Sequence, residues 1–490
     1  MKEITRRSFL KNSALAATTV SVLPGMAAKA RAQTSANSRV IGANDDIRVA
    51  VVGFNSRGGD HIKEISELKG VRIVALCDVD SAVLERGVKL MEGKGQPVTG
   101  YGDIRKLLEN KDIDAITVAT PNHWHALAAI WAIQAGKDVY LEKPVCHEVW
   151  EGRQIVKAAR KYERIVQTGT QSRSGPGLIE AIQWLHDGNL GKIKVARGLC
   201  YKRRASIGKT TGPQPVPATV DYDLWCGPAP KDPLRRAKLH YDWHWVWPTG
   251  NGDLGNQGIH EMDVARWALG ENELSPRIIS VGGRLGYEDD ATTPNTLVVC
   301  HEYKNAPLIF EVRGLPENSD SKKMDNYDGA SIGIVIDCEH GRLVIPTYTD
   351  ARAYDTDGKQ IKRFQGNASH FANFFGAMRS RKVADLHADI EQGFLSSALC
   401  HTANISYRLG EHMQPEKLRE AISSDHELSE SVGRMMEHLG ANGVDLAKTP
   451  ATLGALLTMD PTTERFIGND KANDLLTRDF RKPFVVPTEV

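Results

Sequence analysis

The sequence predicts an α/β protein: a doubly wound parallel sheet on the N-terminal side, then a second α/β domain with a β-rich pattern of its own. Three observations carry this. Short apolar runs alternate with helical patterns from Ile47 to Gly169, as strands and crossover helices of a parallel sheet do. The first run ends in a glycine turn that opens a helix. From Lys192 onward, alternating β-rich segments take over. The 490 residues allow two or three domains at roughly 100–200 residues each.

Composition removes several function classes. Hydrophobic residues make up 41% and charged residues 25%, an ordinary globular balance. Lys+Arg is 62 against Asp+Glu 61, a net charge of +1, which argues against nucleic acid or an anionic membrane as main partner. No long apolar run follows the N-terminus, so no stable membrane span is expected. The cysteines (Cys77, Cys146, Cys200, Cys226, Cys300, Cys338, Cys400) are scattered and form no C-x-x-C pair. They read as buried thiols, with no metal site and no disulfide framework.

Residues 1–32 read as a twin-arginine signal peptide. Thr5-Arg6-Arg7-Ser8-Phe9-Leu10-Lys11 is the arginine pattern, Ala14 to Leu23 a weakly apolar stretch, and Ala28, Ala30 and Ala32 suit A-x-A cleavage. The expected location is the periplasm or another compartment reached by this route, which carries proteins already folded. Residues 33–46 read as a polar linker.

The first domain is expected over 47–170. Ile47 to Phe54 is an apolar run with one charge, as a buried parallel strand is. It enters Gly53-Phe54-Asn55-Ser56-Arg57-Gly58-Gly59, and a helix follows with Ile62, Ile65 and Leu68 on one face and Gly70 as its stop. A second strand, Val71 to Cys77, ends at Asp78, twenty positions after Gly58. That spacing suits a carboxylate bonding the ribose of a dinucleotide. Gly53 permits the tight turn, and Gly58 lets helix pack on strand. The amides of Asn55, Ser56 and Arg57 then face a pyrophosphate. Asn55 stands where the usual middle glycine would be, so its side chain crowds that approach. Asp78 favours NAD over NADP by repelling a 2′-phosphate; Arg57 keeps NADP open.

The alternation continues. Ile113 to Ala119 reads as a strand, with Thr120, Pro121, Asn122 and His125 at its carboxyl end. A helix with Leu127, Ile130, Trp131 and Ile133 follows, closed by Gly136. Asp138 to Leu141 is the next strand and ends in Glu142-Lys143-Pro144; a helix from about Trp150 to Tyr162 leads to strand Ile165 to Gly169. Ligands bind at such carboxyl ends, so Thr120 to His125 and Glu142-Lys143 belong to the cofactor side.

With Gly258-x-His260-x-x-Asp263 added, these pieces resemble the Gfo/Idh/MocA oxidoreductases, from about residue 45 to 410. The resemblance implies a Rossmann domain, a second domain (171–414) with a large, mostly antiparallel open sheet, and hydride chemistry on sugars or cyclic polyols with NAD or NADP. It implies that Lys143 bonds the reacting oxygen and that His260 serves as acid/base. The second half agrees: Lys192 to Cys200, Arg277 to Gly283, Thr296 to Tyr303, Leu308 to Arg313, Ile332 to Cys338 and Arg342 to Ile345 read as strands. Helices are expected at about His370 to Arg379 and Asp389 to Leu409. An open sheet with an apolar face must be covered, so a homo-oligomer, dimer or tetramer, is expected. Residues 415–490 lack clear periodicity and read as an extended tail wrapping the domain or a partner subunit.

The chemistry needs a hydride acceptor and a base for the hydroxyl proton. Asn256, His260, Asp263 and Trp267 fall on one helical face, so Asn256 and Asp263 are expected beside His260, one binding substrate hydroxyls and the other orienting the ring. Asn256 replaces an aspartate of several family dehydrogenases, which leaves Lys143 with His260 as the better pair. Tyr241, Trp243, Trp245 and Trp247 alternate, and an extended segment would put them on one face for stacking on a sugar or for an oligomer contact. Arg203, Arg204 and Lys209 lie in a Gly/Pro-rich loop that binds a carboxylate, caps the cofactor or is simply solvated.

Three functions follow: an exported oxidoreductase with tightly held NAD acting on a carbohydrate; an NAD-dependent glycoside hydrolase working by oxidation, elimination, hydration and reduction; and a noncatalytic sugar-binding protein.

Overall fold

The structure, a computed structural model, describes residues 45–490; the signal 1–32 and most of the linker lie outside the described residues. The first sheet holds β1 (Ile47–Val52), β2 (Val71–Cys77), β3 (Thr99–Tyr101), β4 (Ala115–Val118), β5 (Asp138–Leu141) and β6 (Val166–Thr168), all parallel in the order β3-β2-β1-β4-β5-β6. The order reverses between β1 and β4, which opens a crevice at their carboxyl ends. β1 is shorter than its apolar run because Gly53 turns the chain at φ +74°. The segment from Ser81 to Leu108, which periodicity left unassigned, forms helices Ser81–Gly93 and Ile104–Leu108 around β3. Both begin at aspartate caps: Asp80 accepts from Ala82 N and Asp103 from Arg105 N.

The second sheet has twelve strands. They are β7 (Ile193–Tyr201), β8 (Arg277–Gly283), β9 (Thr296–His301), β10 (Leu308–Arg313), β11 (Ile332–Cys338), β12 (Gly341–Thr347), β13 (Asp350–Tyr354), β14 (Gln360–Gln365), β15 (Glu411–Met413), β16 (Ala451–Leu453), β17 (Leu457–Asp460) and β18 (Arg465–Phe466). The main path runs β14-β13-β12-β11-β7-β10-β9-β8-β16-β15, with β17 on β8 and β18 on β17. Only β7 and β10 pair in parallel; the rest is antiparallel.

Helix Ile390–Arg408 joins the two sheets. It packs on helix Val149–Lys161 of the first unit and on β8 and helix Ile259–Leu269 of the second. Its apolar residues are buried on every side (Phe394, Leu395, Ala398, Leu399, Ala403), as expected of a helix enclosed in a core. The seven cysteines are free and buried.

The stretch 415–490 is not an extended tail. Helices Pro415–Ile422 and His426–Ala441 lay Leu418, Leu428, Val432, Met435 and Leu439 on Val195, Val281, Val298 and Ile309 of the sheet. The spacing of Leu428, Val432, Met435, Met436 and Leu439 is helical and was legible. These helices cover an apolar face that the sequence assigned to a second copy, which removes that reason for an oligomer. β16 and β17 then extend the same sheet. Past helix Asp470–Asp474 the chain crosses back to the first unit. Phe484 packs 5.5 Å from the Trp124 ring and 6.4 Å from Trp131. Arg478 donates to His123 O at 3.2 Å, and Arg481 to Gly227 O at 3.0 Å and to Asp223 at 2.9 Å.

Phe484 is 1% exposed, so Phe484→Ala leaves a cavity and costs about 3–5 kcal/mol. The expected outcome is a lower Tm and earlier urea unfolding; wild-type values would show that the crossing stretch contributes nothing.

Candidate functional site

A cavity of about 360 Å³ begins at the crevice between β1 and β4 and reaches the second sheet. Gly53, Asn55, Ser56, Arg57, Asp78 and Asp103 line it from the glycine turn and the segments after β2 and β3; Thr120, Pro121, Asn122, Glu142 and Lys143 from the ends of β4 and β5; and Lys202, Arg204, Tyr241, Trp243, His244, Asn256 and Gln257 from the second half of the chain.

The glycine turn has the form expected for a phosphate cradle. A Cβ on Gly53 would stand 2.9 Å from Thr120, and one on Gly58 only 2.0 Å from Gly53 O. No side chain caps the Arg57–Ser66 helix, so its amino end is open to another acceptor. Asn55 gives its amide oxygen to Arg86 at 3.1 Å. The Asp78 oxygens accept from Phe54 N at 3.2 Å and Asp80 N at 3.0 Å; burial raises its pKa, and those amides work against the rise. Thr120 Oγ1 is buried without a partner. A buried hydroxyl without a partner, an open helix end and a carboxylate at the end of β2 fit a dinucleotide.

Glu142, fixed at the end of β5, joins this turn to Lys143. Its Oε1 accepts from Arg57 Nε at 2.9 Å and lies 3.0 Å from His61 Nε2. Burial would raise its pKa, but the His61 bond and the Arg57 charge hold it well below the usual carboxylate range. Lys143 Nζ donates to Asn256 O at 2.8 Å. Burial lowers the Lys143 pKa, although the Glu142 charge opposes it. His125 is buried, with its ring nitrogens 2.6 Å from Pro144 O and 2.8 Å from Thr120 O; it braces two strand-end loops. Asn122 donates to Asn251 at 2.9 Å.

Four expectations change here. Asn256 and His260 do not share a regular helix: Leu254–Gly258 is a π turn, and the α-helix starts at Ile259. Gly255 and Gly258 allow it, since a Cβ would meet Asn251 at 2.5 Å or the Phe310 ring at 2.9 Å. Asp263 does not bind substrate or orient His260. It is fully buried and spent on Arg173 (2.8 and 2.9 Å) and Ser396 (2.7 Å). Tyr241 to Trp247 is not extended: Asp242–Trp245 is a 3₁₀ turn. Tyr241, Trp243 and His244 therefore reach the cavity, with His244 stacked 3.6 Å over Trp243. Trp245 turns away under Arg204, 4.9 Å from its ring centre.

His260 sits behind the cavity wall, 8% exposed, its ring 5.2 Å from Tyr348 and its Nδ1 buried without a partner. Burial, with the Lys143 charge added, pushes its pKa down to about 3, so it is a neutral imidazole. The sequence reading missed His61, Lys202, His240 and Gln257. His61 carried a signal, lying i+4 from Arg57 on the helix after the glycine turn. Lys202 and His240 come from loops whose approach no periodicity encodes, and Gln257 comes from the π turn.

Burial pushes His260 and His301 down to about 3 and His370 and His401 to about 4, from an ordinary 6.5. Their neutral forms belong to the fold, while the unfolded chain takes protons below pH 6.5. Stability is therefore full above pH 6.5 and falls as pH drops toward 3, by about 1.4 kcal/mol per histidine per pH unit. Melting curves from pH 7.5 to 5 should show a falling Tm, and a flat profile would refute the neutral assignment.

The description "Oxidoreductase family, NAD-binding Rossmann fold" matches residues 47–170, and "Oxidoreductase family, C-terminal alpha/beta domain" matches residues 188–439. A glycosyl hydrolase family 109 protein of Shewanella pealeana is 31% identical over 203 residues, 39% of this chain and 44% of that one. Another from Shewanella putrefaciens is 34% identical over 182 residues. The chain thus spans less than half the length of these curated relatives. Among solved structures, the WlbA dehydrogenase of Bordetella pertussis, in complex with NADH and UDP-GlcNAcA, is 18% identical with a TM-score of 0.53, over 72% of this chain and 94% of that one. An oxidoreductase domain protein from Kribbella flavida is 20% identical with a TM-score of 0.55, over 73% and 96%. The structural likenesses show the fold. With both family descriptions matched in order along the chain, the protein belongs to the Gfo/Idh/MocA oxidoreductase family and carries its NAD-binding Rossmann domain.

Proposed function

We propose that this chain is an exported oxidoreductase that moves a hydride between a sugar or cyclic-polyol hydroxyl and a tightly held NAD. The carrying observation is that one cavity joins the glycine turn and Asp78 to the Lys143 ammonium and to aromatic and amide side chains of the second half of the chain.

The turn from Gly53 to Arg57 would hold the pyrophosphate, and Asp78 the adenosine ribose. Asp78 and Asp103 together line that end, which disfavours the extra phosphate of NADP. When bound, the dinucleotide supplies the hydride acceptor. Lys143 takes the carbinol oxygen in place of Asn256 O, and its positive charge lowers the pKa of that hydroxyl. His260, uncharged and near Lys143, receives the proton. Tyr241 and Trp243 offer ring faces to sugar C–H groups, while Asn256 and Gln257 offer amides to hydroxyls. Export is supported by the arginine pattern at Thr5 to Lys11. A cofactor carried on that route must be loaded first and released slowly.

The second reading, redox-neutral glycoside cleavage, is favoured by the relatives' name. It starts with the same oxidation and uses the same Lys143. Release of an aglycone without net NADH would select it.

Purified protein is expected to release close to one NAD(H) per chain on denaturation. Lys143→Met should keep that nucleotide and lose about a hundredfold or more in kcat, and His260→Ala at least tenfold. Full turnover in both variants would remove the assignment. Protein that neither carries nor takes up nucleotide would remove the whole reading.

A further inference from the structure

The cavity carries a cation that hydride transfer does not use. Four line it: Arg57, Lys143, Lys202 and Arg204. Arg57 is matched by Glu142 at 2.9 Å. Arg204 is matched by Asp253, at 2.8 and 2.7 Å. Lys143 lies beside Glu142. Lys202 has a neutral partner only, donating from Nζ to Gln257 Oε1 at 2.7 Å, and among the described residues no carboxylate pairs with it.

The neutral partner is itself fixed. Gln257 Nε2 donates to Glu261 Oε1 at 3.1 Å and contacts the Tyr348 hydroxyl at 2.5 Å, which leaves its oxygen for Lys202. Glu261 forms no ion pair with Lys202, and burial pushes its pKa up to about 8, which favours its neutral form. One of three ammonium donors is used, and two remain for a ligand. A cation in a partly closed cavity, held by an amide, is best completed by an anion. An oxidised nicotinamide would add positive charge and strengthen that demand.

Resting on the hydride-transfer reading, we propose that the substrate is an acidic carbohydrate whose carboxylate is received by Lys202, with Gln257 as the positioning residue. The recognised chemistry is a uronic acid or its glycoside.

The test uses the full-length protein with its nucleotide. Binding is read by calorimetry and by tryptophan fluorescence, since Trp225 and Trp243 line the cavity. The probes are matched pairs of methyl glycosides and methyl glycosiduronates in the gluco, galacto and manno series, plus methyl glucoside 6-sulfate. The acid should bind about tenfold or more tightly than its neutral partner in at least one series, with a preference that shrinks as salt is raised. Lys202→Met should cut the acid-to-neutral ratio about ten- to a hundredfold, and Lys202→Arg should restore most of it. Equal binding in every pair overturns the proposal. So does an unchanged ratio in a Lys202→Met protein of wild-type Tm. A sulfate bound as tightly as the uronate overturns the carboxylate assignment. Missing nucleotide, by contrast, would count against hydride transfer and leave the charge preference to be judged on these ratios.

Discussion

Glu142 holds the site together through Arg57 and His61. A carboxylate at 3% exposure is costly to keep charged unless partners meet both oxygens. Here Arg57 comes from the turn after β1 and His61 from the helix that follows, while the Lys143 amide lies 3.3 Å from Oε2. One side chain therefore ties the glycine turn, the first helix and the end of β5 into a single unit. It also sets the position of Lys143, the next residue. The pocket for this carboxylate is tight: a Cβ on Gly169 would stand 2.9 Å from it. Removing Glu142 would leave Arg57 facing a buried gap, and the phosphate cradle and the lysine would lose their common anchor.

The other wall is set by the π turn at Leu254–Gly258. A regular helix would have carried Asn256 and His260 in phase. The wider turn instead puts Asn256 and Gln257 at the cavity and leaves His260 behind it. It also gives Lys143 a backbone carbonyl, an acceptor that a substrate oxygen can replace without stranding a charge.

Much of this was legible. β2, β5, β8, β10 and β11 stand where their apolar runs placed them, because buried strands are written in contiguous residues. The glycine turn, Asp78 and Glu142-Lys143 were legible for the same reason, as each sits at a strand end. Asp263 misled because helical phase says which face a residue takes but not which partner waits there; Arg173, 90 positions away, met it first. Trp245 misled because alternation reads as a strand only if the backbone is extended, and Trp243, His244 and Trp245 close instead into a 3₁₀ turn. Lys202 drew no notice because its meaning depends on the absence of a carboxylate, which only three dimensions show.

The stretch from Leu475 onward links nucleotide binding to completion of the fold. Arg478 and Arg481 hold His123 O, Gly227 O and Asp223, and Phe484 holds Trp124. Those groups belong to the helices that carry Trp124, Leu224 and Trp225 to the cavity. The wall is thus finished by residues far along the chain, and a ligand that needs the finished wall binds only after they dock. By linkage, the same ligand stabilises that docked state in proportion to its affinity. For a protein proposed to leave the cytoplasm folded, docking of the crossing stretch and retention of the dinucleotide would therefore stabilise one another.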